Sequence, residues 1–192
     1  MGNLITKPTE LALAILKEYI SEGDFAIDAT AGNGHDTLAL AKLVGSSGKV
    51  YAFDVQEAAI KNTKALLTKE GFFDVCILTE ASHDRIKEFV PHMEWGRISA
   101  VVFNLGYLPG SGKEKATGVE TTLPAVKQAL ELIQPDGLVA VTMYDGHEQG
   151  RLEKAELLDF AKALPPKKYH SVFISLINQQ NNPPELLLIT KK

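Results

Sequence analysis

Three carboxylates surround one glycine turn. Asp28 precedes the stretch Gly32-Asn33-Gly34, Asp36 follows it, and Asp54 lies twenty residues beyond Gly34. A glycine turn between a strand and a helix lets the backbone approach a ligand at the helix N-terminus. A carboxylate at the end of the next strand, where Asp54 falls in Phe53-Asp54-Val55-Gln56, can accept hydrogen bonds from the vicinal hydroxyls of a ribose. Nicotinamide dinucleotides and S-adenosylmethionine both carry that ribose. The dinucleotide fingerprint wants a small residue three positions after its second glycine, and Thr37 stands there instead. Asp28 and Asp36 would repel a pyrophosphate and attract a sulfonium with its amino-acid ammonium, so electrostatics favours S-adenosylmethionine. Turn and helix-cap chemistry is the alternative reading of either aspartate alone. Gln56 is placed to touch ribose or adenine, or merely to open a helix. Ser82 and His83 fall where an adenine edge would lie, or form an N-cap pair.

A second group follows a later apolar run, in Asn104-Leu105-Gly106-Tyr107-Leu108-Pro109-Gly110-Ser111-Gly112-Lys113. A phosphate loop has four residues between its first glycine and the Gly-Lys, then Ser or Thr; here five separate Gly106 from Gly112, and Glu114 follows Lys113. Nucleoside triphosphate binding is excluded. Asn104 at a strand end can accept from an amino group and aim its lone pair at a methyl carbon, a positioning role that supplies several kcal/mol, on the order of what alignment is worth in displacement reactions. Tyr107 can stack on a base, Leu108 and Pro109 can wall a pocket, and Gly106 leaves room for an acceptor. A tight turn with a surface tyrosine is the alternative. Tyr144, Asp145 and His147 end another strand beside the same cleft, with His147 a candidate proton acceptor or a loop residue held by Asp145. His35, His92 and His170 show no ligand spacing with one another or with Cys76, so no metal site is expected. Cys76 sits in Phe73-Asp74-Val75-Cys76-Ile77-Leu78 and reads as a buried strand residue rather than a nucleophile.

The elements that must position these groups follow from hydrophobic period. Strands are predicted over 25–30, 49–54, 74–79, 98–104, 138–144, 169–175 and 185–190, and helices over 9–22, 35–44, 56–70, 82–90, about 120–133 and 150–163. Alternation of short β-rich runs with amphipathic ones predicts a parallel α/β sheet. Only nine residues, Leu176 to Pro184, join the last two strands, too few for a crossover helix, so these strands are predicted to be antiparallel neighbours. A Rossmann-like class I methyltransferase sheet ends in this way: seven strands, mostly parallel, with an antiparallel last strand. The 192 residues, 45% hydrophobic, are expected to form one domain over 1–192 with an N-terminal helix. A formal charge of -4 lacks the basic excess of many nucleic-acid binders, although Lys113, Lys115, Arg151, Lys154, Lys167 and Lys168 could form a local patch. The absence of a long apolar run and of a signal-like opening predicts a soluble, cytoplasmic protein.

Together, Asp28–Thr37, Phe53–Gln56, Asn104–Gly110, Glu120-Thr121-Thr122 and Tyr144–Gly150 resemble a bacterial family of rRNA methylases. That family is similar to tRNA methyltransferases acting on the aminomethyl nitrogen of 5-aminomethyl-2-thiouridine at the wobble position. The resemblance implies S-adenosylmethionine as donor, contacted through Gly32, Asn33, Asp36, Asp54, Gln56, Ser82 and His83; Asp28, Gly34 and Thr37, in the same glycine-turn segment, are expected to bind it with them. It implies acceptor-side roles for Asn104, Tyr107, Tyr144 and His147, the tRNA anticodon region as partner, and a homodimer. Gly112 departs from the pattern, which has an acidic residue before the lysine. An rRNA base methyltransferase, a small-molecule N-methyltransferase and a nucleotide-sensing module are the alternatives.

Overall fold

The computed structural model describes residues 7–106, 118–146, 148–180 and 182–192. The strands are β1 Phe25–Asp28, β2 Lys49–Asp54, β3 Cys76–Glu80, β4 Ile98–Leu105, β5 Ile133–Met143, β6 Tyr169–Ile174 and β7 Glu185–Lys191. The helices are α1 Pro8–Leu16, α2 His35–Val44, α3 Glu57–Glu70, α4 Ile86–Phe89, α5 Val119–Leu132 and α6 Glu148–Ala163. All seven strands form one sheet in the order β3-β2-β1-β4-β5-β7-β6. The β1–β2, β1–β4, β2–β3 and β4–β5 ladders are parallel, while β7 runs antiparallel to both β5 and β6. This is the predicted architecture, with the last strand inserted between its two neighbours.

Alternation along the strands divides the core between two faces, because successive side chains point to opposite sides. Ala26, Val50, Ala100, Val102 and Leu188 pack with Leu16 of α1, Leu40 and Val44 of α2 and Leu67 of α3. Ile27, Phe53, Val101, Phe103 and Ile189 pack on the other side with Ile86 of α4, Val126 and Leu130 of α5 and Leu157 of α6. A sheet covered on both faces explains why its central strands are apolar throughout rather than alternately polar. The chain winds one way from β1 to β3, then returns to place β4 on the far side of β1. The crevice at that reversal is where open α/β sheets bind ligands.

Three boundaries differ from the periodicity. α1 stops at Leu16 rather than residue 22, because Glu18 and Tyr19 donate to carbonyls three residues back and Gly23 turns the chain at φ 91. The helix predicted over 82–90 is a 3₁₀ turn, His83–Arg85, followed by the one-turn α4, which ends just before Pro91. β5 begins at Ile133, paired with Ile98, before the ladder jumps to Ala100–Leu138. Gln134–Gly137 bulge out between these pairings, with Asp136 at φ 61, so the turn signal in Pro-Asp-Gly is a bulge inside a strand.

Candidate active site at the carboxyl edge of the sheet

The backbone after β1 runs over the ends of both its neighbours. Ala29 N–H donates to the Val102 carbonyl of β4, and Ala31 N–H donates to the Phe53 carbonyl of β2 at 2.8 Å. The glycines then allow the turn: Gly32 lies at φ 53 and Gly34, the N-cap of α2, at φ 83. Gly34 is also pressed on α3, where an added Cβ would stand 2.8 Å from the Thr63 Cα. Thr63, itself buried, donates its hydroxyl to the Gly32 carbonyl, and Asn62 donates its amide to the Asn33 side-chain oxygen. The loop is therefore held from α3 as well as from the sheet.

The three carboxylates take three different positions. Asp54, at the end of β2, accepts from Gly32 N–H through one oxygen and from Gln56 N–H through the other, each at 2.9 Å. A carboxylate has about four acceptor directions, so Asp54 joins the loop to the start of α3 while keeping directions for a ligand's hydroxyls. Asp28 lies wholly inside. It accepts from the Thr37 hydroxyl at 2.6 Å and from Thr30 N–H, and Thr37 is equally buried. Expected as ligand contacts, Asp28 and Thr37 instead brace the loop from beneath, since neither side chain has surface to offer a ligand. Burial, with Asp36 and then Asp54 adding repulsion, lifts the Asp28 carboxyl to about 7.

Asp36 occupies the first turn of α2 and crosses the reversal crevice to β4, where it accepts a hydrogen bond from the Asn104 amide nitrogen. Asn104 N–H donates in turn to the Thr30 hydroxyl at 2.7 Å. The Asn104 side-chain oxygen is buried and has no hydrogen-bond partner among the described residues. A buried acceptor left unpaired costs on the order of 1–3 kcal/mol, a cost that a ligand donor would remove. Burial also raises the Asp36 carboxyl above its usual range, against the lowering effects of Asn104 and His35. Tyr144, just past β5, lies with its ring 3.7 Å from where a Cβ on Gly106 would stand, and its hydroxyl is raised by burial and by Asp36. Asp36, Asn104, Gly106 and Tyr144 thus come together from α2, β4 and β5. Tyr107, Leu108, Pro109, Lys113 and His147 lie outside the described residues.

Other expected contacts are redistributed. Gln56 is the N-cap of α3 and Ser82 that of the following 3₁₀ turn, but neither caps through its side chain, leaving both half-buried groups near the loop. His83 is not at an open edge. It is buried against the Phe103 ring at 5.8 Å, hydrogen-bonded to Ala29 backbone, and lies 3.4 Å from the Thr122 hydroxyl. Thr122 donates to Glu153 of α6 at 2.5 Å, so a buried polar chain ties the loop after β1 to α5 and α6. Burial holds the His83 imidazole below its ordinary value. Glu153 belongs to no motif, although it shares a spacing with buried Gly150, Leu157 and Ala161 that marks the inner face of α6. Asp145 turns away from the cleft to pair with Lys154 at 3.0 Å, and Lys154 also pairs with Glu185. That lysine is neutralised within the protein, which removes it from the candidate basic patch. Cys76 is buried in β3, and burial pushes its thiol up to about 12, as a core residue requires.

The donor set defines what fits. Among the described residues, no group of three metal-ligating side chains is suitably arranged. The crevice offers backbone and carboxylate acceptors of net negative charge, which suit a cationic, hydroxyl-bearing ligand. A cation beside Asp28 and Asp36 would lower their proton affinity and so be bound most tightly with both ionised.

A family model described as "Putative rRNA methylase" matches residues 50–190. The "tRNA (mnm(5)s(2)U34)-methyltransferase, chloroplastic" of Arabidopsis thaliana is 38% identical over 90% of this chain, which spans 65% of that protein's length. The crystal structure of a "putative rRNA-methylase" from Clostridium thermocellum superposes with TM-score 0.93 at 37% identity, covering 97% of this chain and 98% of that one. A "putative methyltransferase" from Streptococcus mutans, solved in complex with SAH, superposes with TM-score 0.86 at 36% identity, covering 97% and 98%. Sheet order and the antiparallel seventh strand are those of class I methyltransferases. This chain therefore belongs to the family described as "Putative rRNA methylase".

Proposed function

We propose that the protein is an S-adenosylmethionine-dependent tRNA methyltransferase. It N-methylates the aminomethyl group of 5-aminomethyl-2-thiouridine at wobble position 34, giving 5-methylaminomethyl-2-thiouridine. The observation that carries this reading is the Asp36–Asn104 bridge across the crevice, which presents a carboxylate beside a buried Asn104 oxygen that has no donor among the described residues. An exocyclic amine supplies that donor. The Arabidopsis thaliana relative's name supports the choice of nucleoside, and the SAH bound to the Streptococcus mutans protein supports the cofactor.

In this reading Gly32, Asn33, Gly34, Asp54, Gln56 and Ser82 hold S-adenosylmethionine, Asp36 lies between cofactor and acceptor through its bond to Asn104, and Asp28, Thr37 and His83 set the loop's shape. The cofactor supplies an electrophilic methyl on a sulfonium. Asn104 orients the acceptor nitrogen, Gly106 and Tyr144 flank it, and Tyr107, Leu108, Pro109 and His147 complete the acceptor side by their places in the sequence. Lys113 contacts the RNA backbone. Because an amine is a nucleophile once deprotonated, alignment suffices and no covalent enzyme intermediate is needed. We assign the protein to the cytoplasm, as a homodimer of one methyltransferase domain over 1–192 that acts on the anticodon region without a metal. Among the described residues, no helix is long and apolar enough to cross a membrane.

The family description keeps an rRNA base as the second reading. Labelled S-adenosylmethionine, incubated with separate pools of undermodified tRNA, rRNA and metabolites, tests both when products are resolved by nucleoside mass spectrometry. Label in 5-methylaminomethyl-2-thiouridine of tRNA is expected. Label confined to rRNA selects the second reading, and label confined to metabolites defeats both.

A further inference from the structure

We infer that Asp36 is the group that receives the acceptor's proton: its carboxylate and the Asn104 oxygen form a two-point cradle for an alkyl ammonium. This rests on the amine-methylating reading above. An alkyl ammonium has a pKa near that of lysine, about 10, so at neutral pH nearly all of the substrate lacks the lone pair that the reaction needs. A proton must leave within the site. The other two carboxylates are differently employed. Asp28 is wholly buried with both oxygens on Thr37 and Thr30, and Asp54 serves the loop and α3 from the far side of the glycine turn. Asp36 alone of the three crosses the crevice to the acceptor side, where Asn104 uses one of its acceptor directions.

The cradle is stiff. Asn104 is held through its backbone by Thr30 and through its amide by Asp36, which leaves its oxygen as the atom without a partner among the described residues. Two of the ammonium's three N–H groups are then met, one by the Asn104 oxygen and one by Asp36. Transfer to Asp36 leaves a neutral amine whose lone pair faces that carboxyl, and rotation about the carbon–nitrogen bond turns it to the methyl carbon. The nitrogen–methyl bond forms as the carbon–sulfur bond breaks, the sulfur keeps that electron pair, and the secondary ammonium product retains the nitrogen's two other protons. Asp36 then returns its proton to solvent. The groups facing Asp36 are His35 on its own helix, Asp28 below, Asn104 on β4 and Tyr144 beyond β5. Desolvation in that setting raises the Asp36 carboxyl above its usual range, which makes it a stronger base than an exposed aspartate.

The test uses Asp36→Asn in the full chain, in two measurements. In the first, the protein loaded with S-adenosylhomocysteine binds an anticodon stem-loop carrying 5-aminomethyl-2-thiouridine or one carrying 5-methyl-2-thiouridine. Wild type prefers the amine at least tenfold, whereas D36N, saturated with S-adenosylhomocysteine as calorimetry verifies, loses the preference. In the second, single-turnover methylation is followed from pH 6 to 10. D36N is slowed about 100-fold or more at pH 7 and gains about tenfold per pH unit as solvent deprotonates the amine, converging on wild type at high pH. Asp36→Glu, which retains a carboxylate, recovers part of the neutral-pH rate, and this serves as the arm if D36N melts early. Loss of S-adenosylhomocysteine binding with an unchanged pH profile, or an equal loss of rate at every pH, overturns the inference. Failure of the functional reading itself looks different, because wild type would then methylate neither amine-bearing stem-loop nor tRNA.

Discussion

Asp28 shows how little a residue's type says about the direction it faces. The sequence places an acid ahead of a glycine turn, which equally describes a ligand contact and a buried brace; only the Thr37 hydroxyl, nine residues on, decides between them. This brace has a measurable cost. Its folded-state carboxyl, at about 7, sits above the ordinary 3.8, so the folded protein binds that proton more tightly than the unfolded chain does. The sign follows: Asp28 weakens the ligand-free fold as pH rises from about 4 to 7, and the penalty is complete above that window. Asp28→Asn removes the term while keeping an acceptor for Thr30 N–H. Between pH 5 and pH 8 the melting temperature of the ligand-free wild type is expected to fall further than that of D28N, by the equivalent of a few kcal/mol on the order set by the shift. Parallel curves would show that the carboxyl is not desolvated as described. His83 makes the same point from the other direction, since its neighbours in sequence suggested an open edge and its true partners, Phe103 and Thr122, come from distant elements.

At the scale of elements, most of the architecture was legible because it depends on local period. All seven strands and the helices other than the 82–90 segment fall near their predicted places, and the short final connection correctly required an antiparallel pair. What periodicity misplaced were ends, where tight three-residue bonds after α1, Pro91 after α4 and the bulge in β5 override it. The glycine turn shows a stricter element-level demand. Gly34 must hold a positive φ and also admit the backbone of α3, so Ala there meets both left-handed strain, about 1–2 kcal/mol, and a contact that no rotamer relieves. Gly34→Ala is expected to destabilise the fold by about 2 kcal/mol or more, lowering the melting temperature by roughly 4 °C or more for a chain of this size, and to weaken S-adenosylmethionine binding by displacing the turn. Calorimetry on the purified variant checks both. An unaltered melting temperature would mean that α3 yields at Thr63.

Over the whole molecule, the proposed acceptor side is assembled from residues on α2, β4 and the end of β5, so no short segment contains it. The partner surface is less legible in sequence, because the chain is acidic overall and Lys154 is spent internally. Another surface is plain in the structure. β6 closes the sheet with Val172 51% and Phe173 40% exposed, near a nearly bare Ile177. Uncovered apolar edges of this kind invite pairing with another chain, which fits the proposed homodimer. Replacing Val172 and Phe173 with lysine is expected to halve the mass measured by light scattering, toward the 20.9 kDa of one chain, with the sheet's circular dichroism preserved. An unchanged dimer would move the interface elsewhere.

The insertion of β7 between β5 and β6 has a consequence for how this edge comes into being. β6 reaches the rest of the sheet through β7 alone, although β6 precedes it in the chain. Until residues 185–191 dock on β5, the earlier strand has nothing to join, so the assembly order at this end reverses the order of synthesis. The two strands are one cooperative unit. Any opening that frees β7 also frees β6, and with them Glu185, which anchors Lys154 beneath the end of β5.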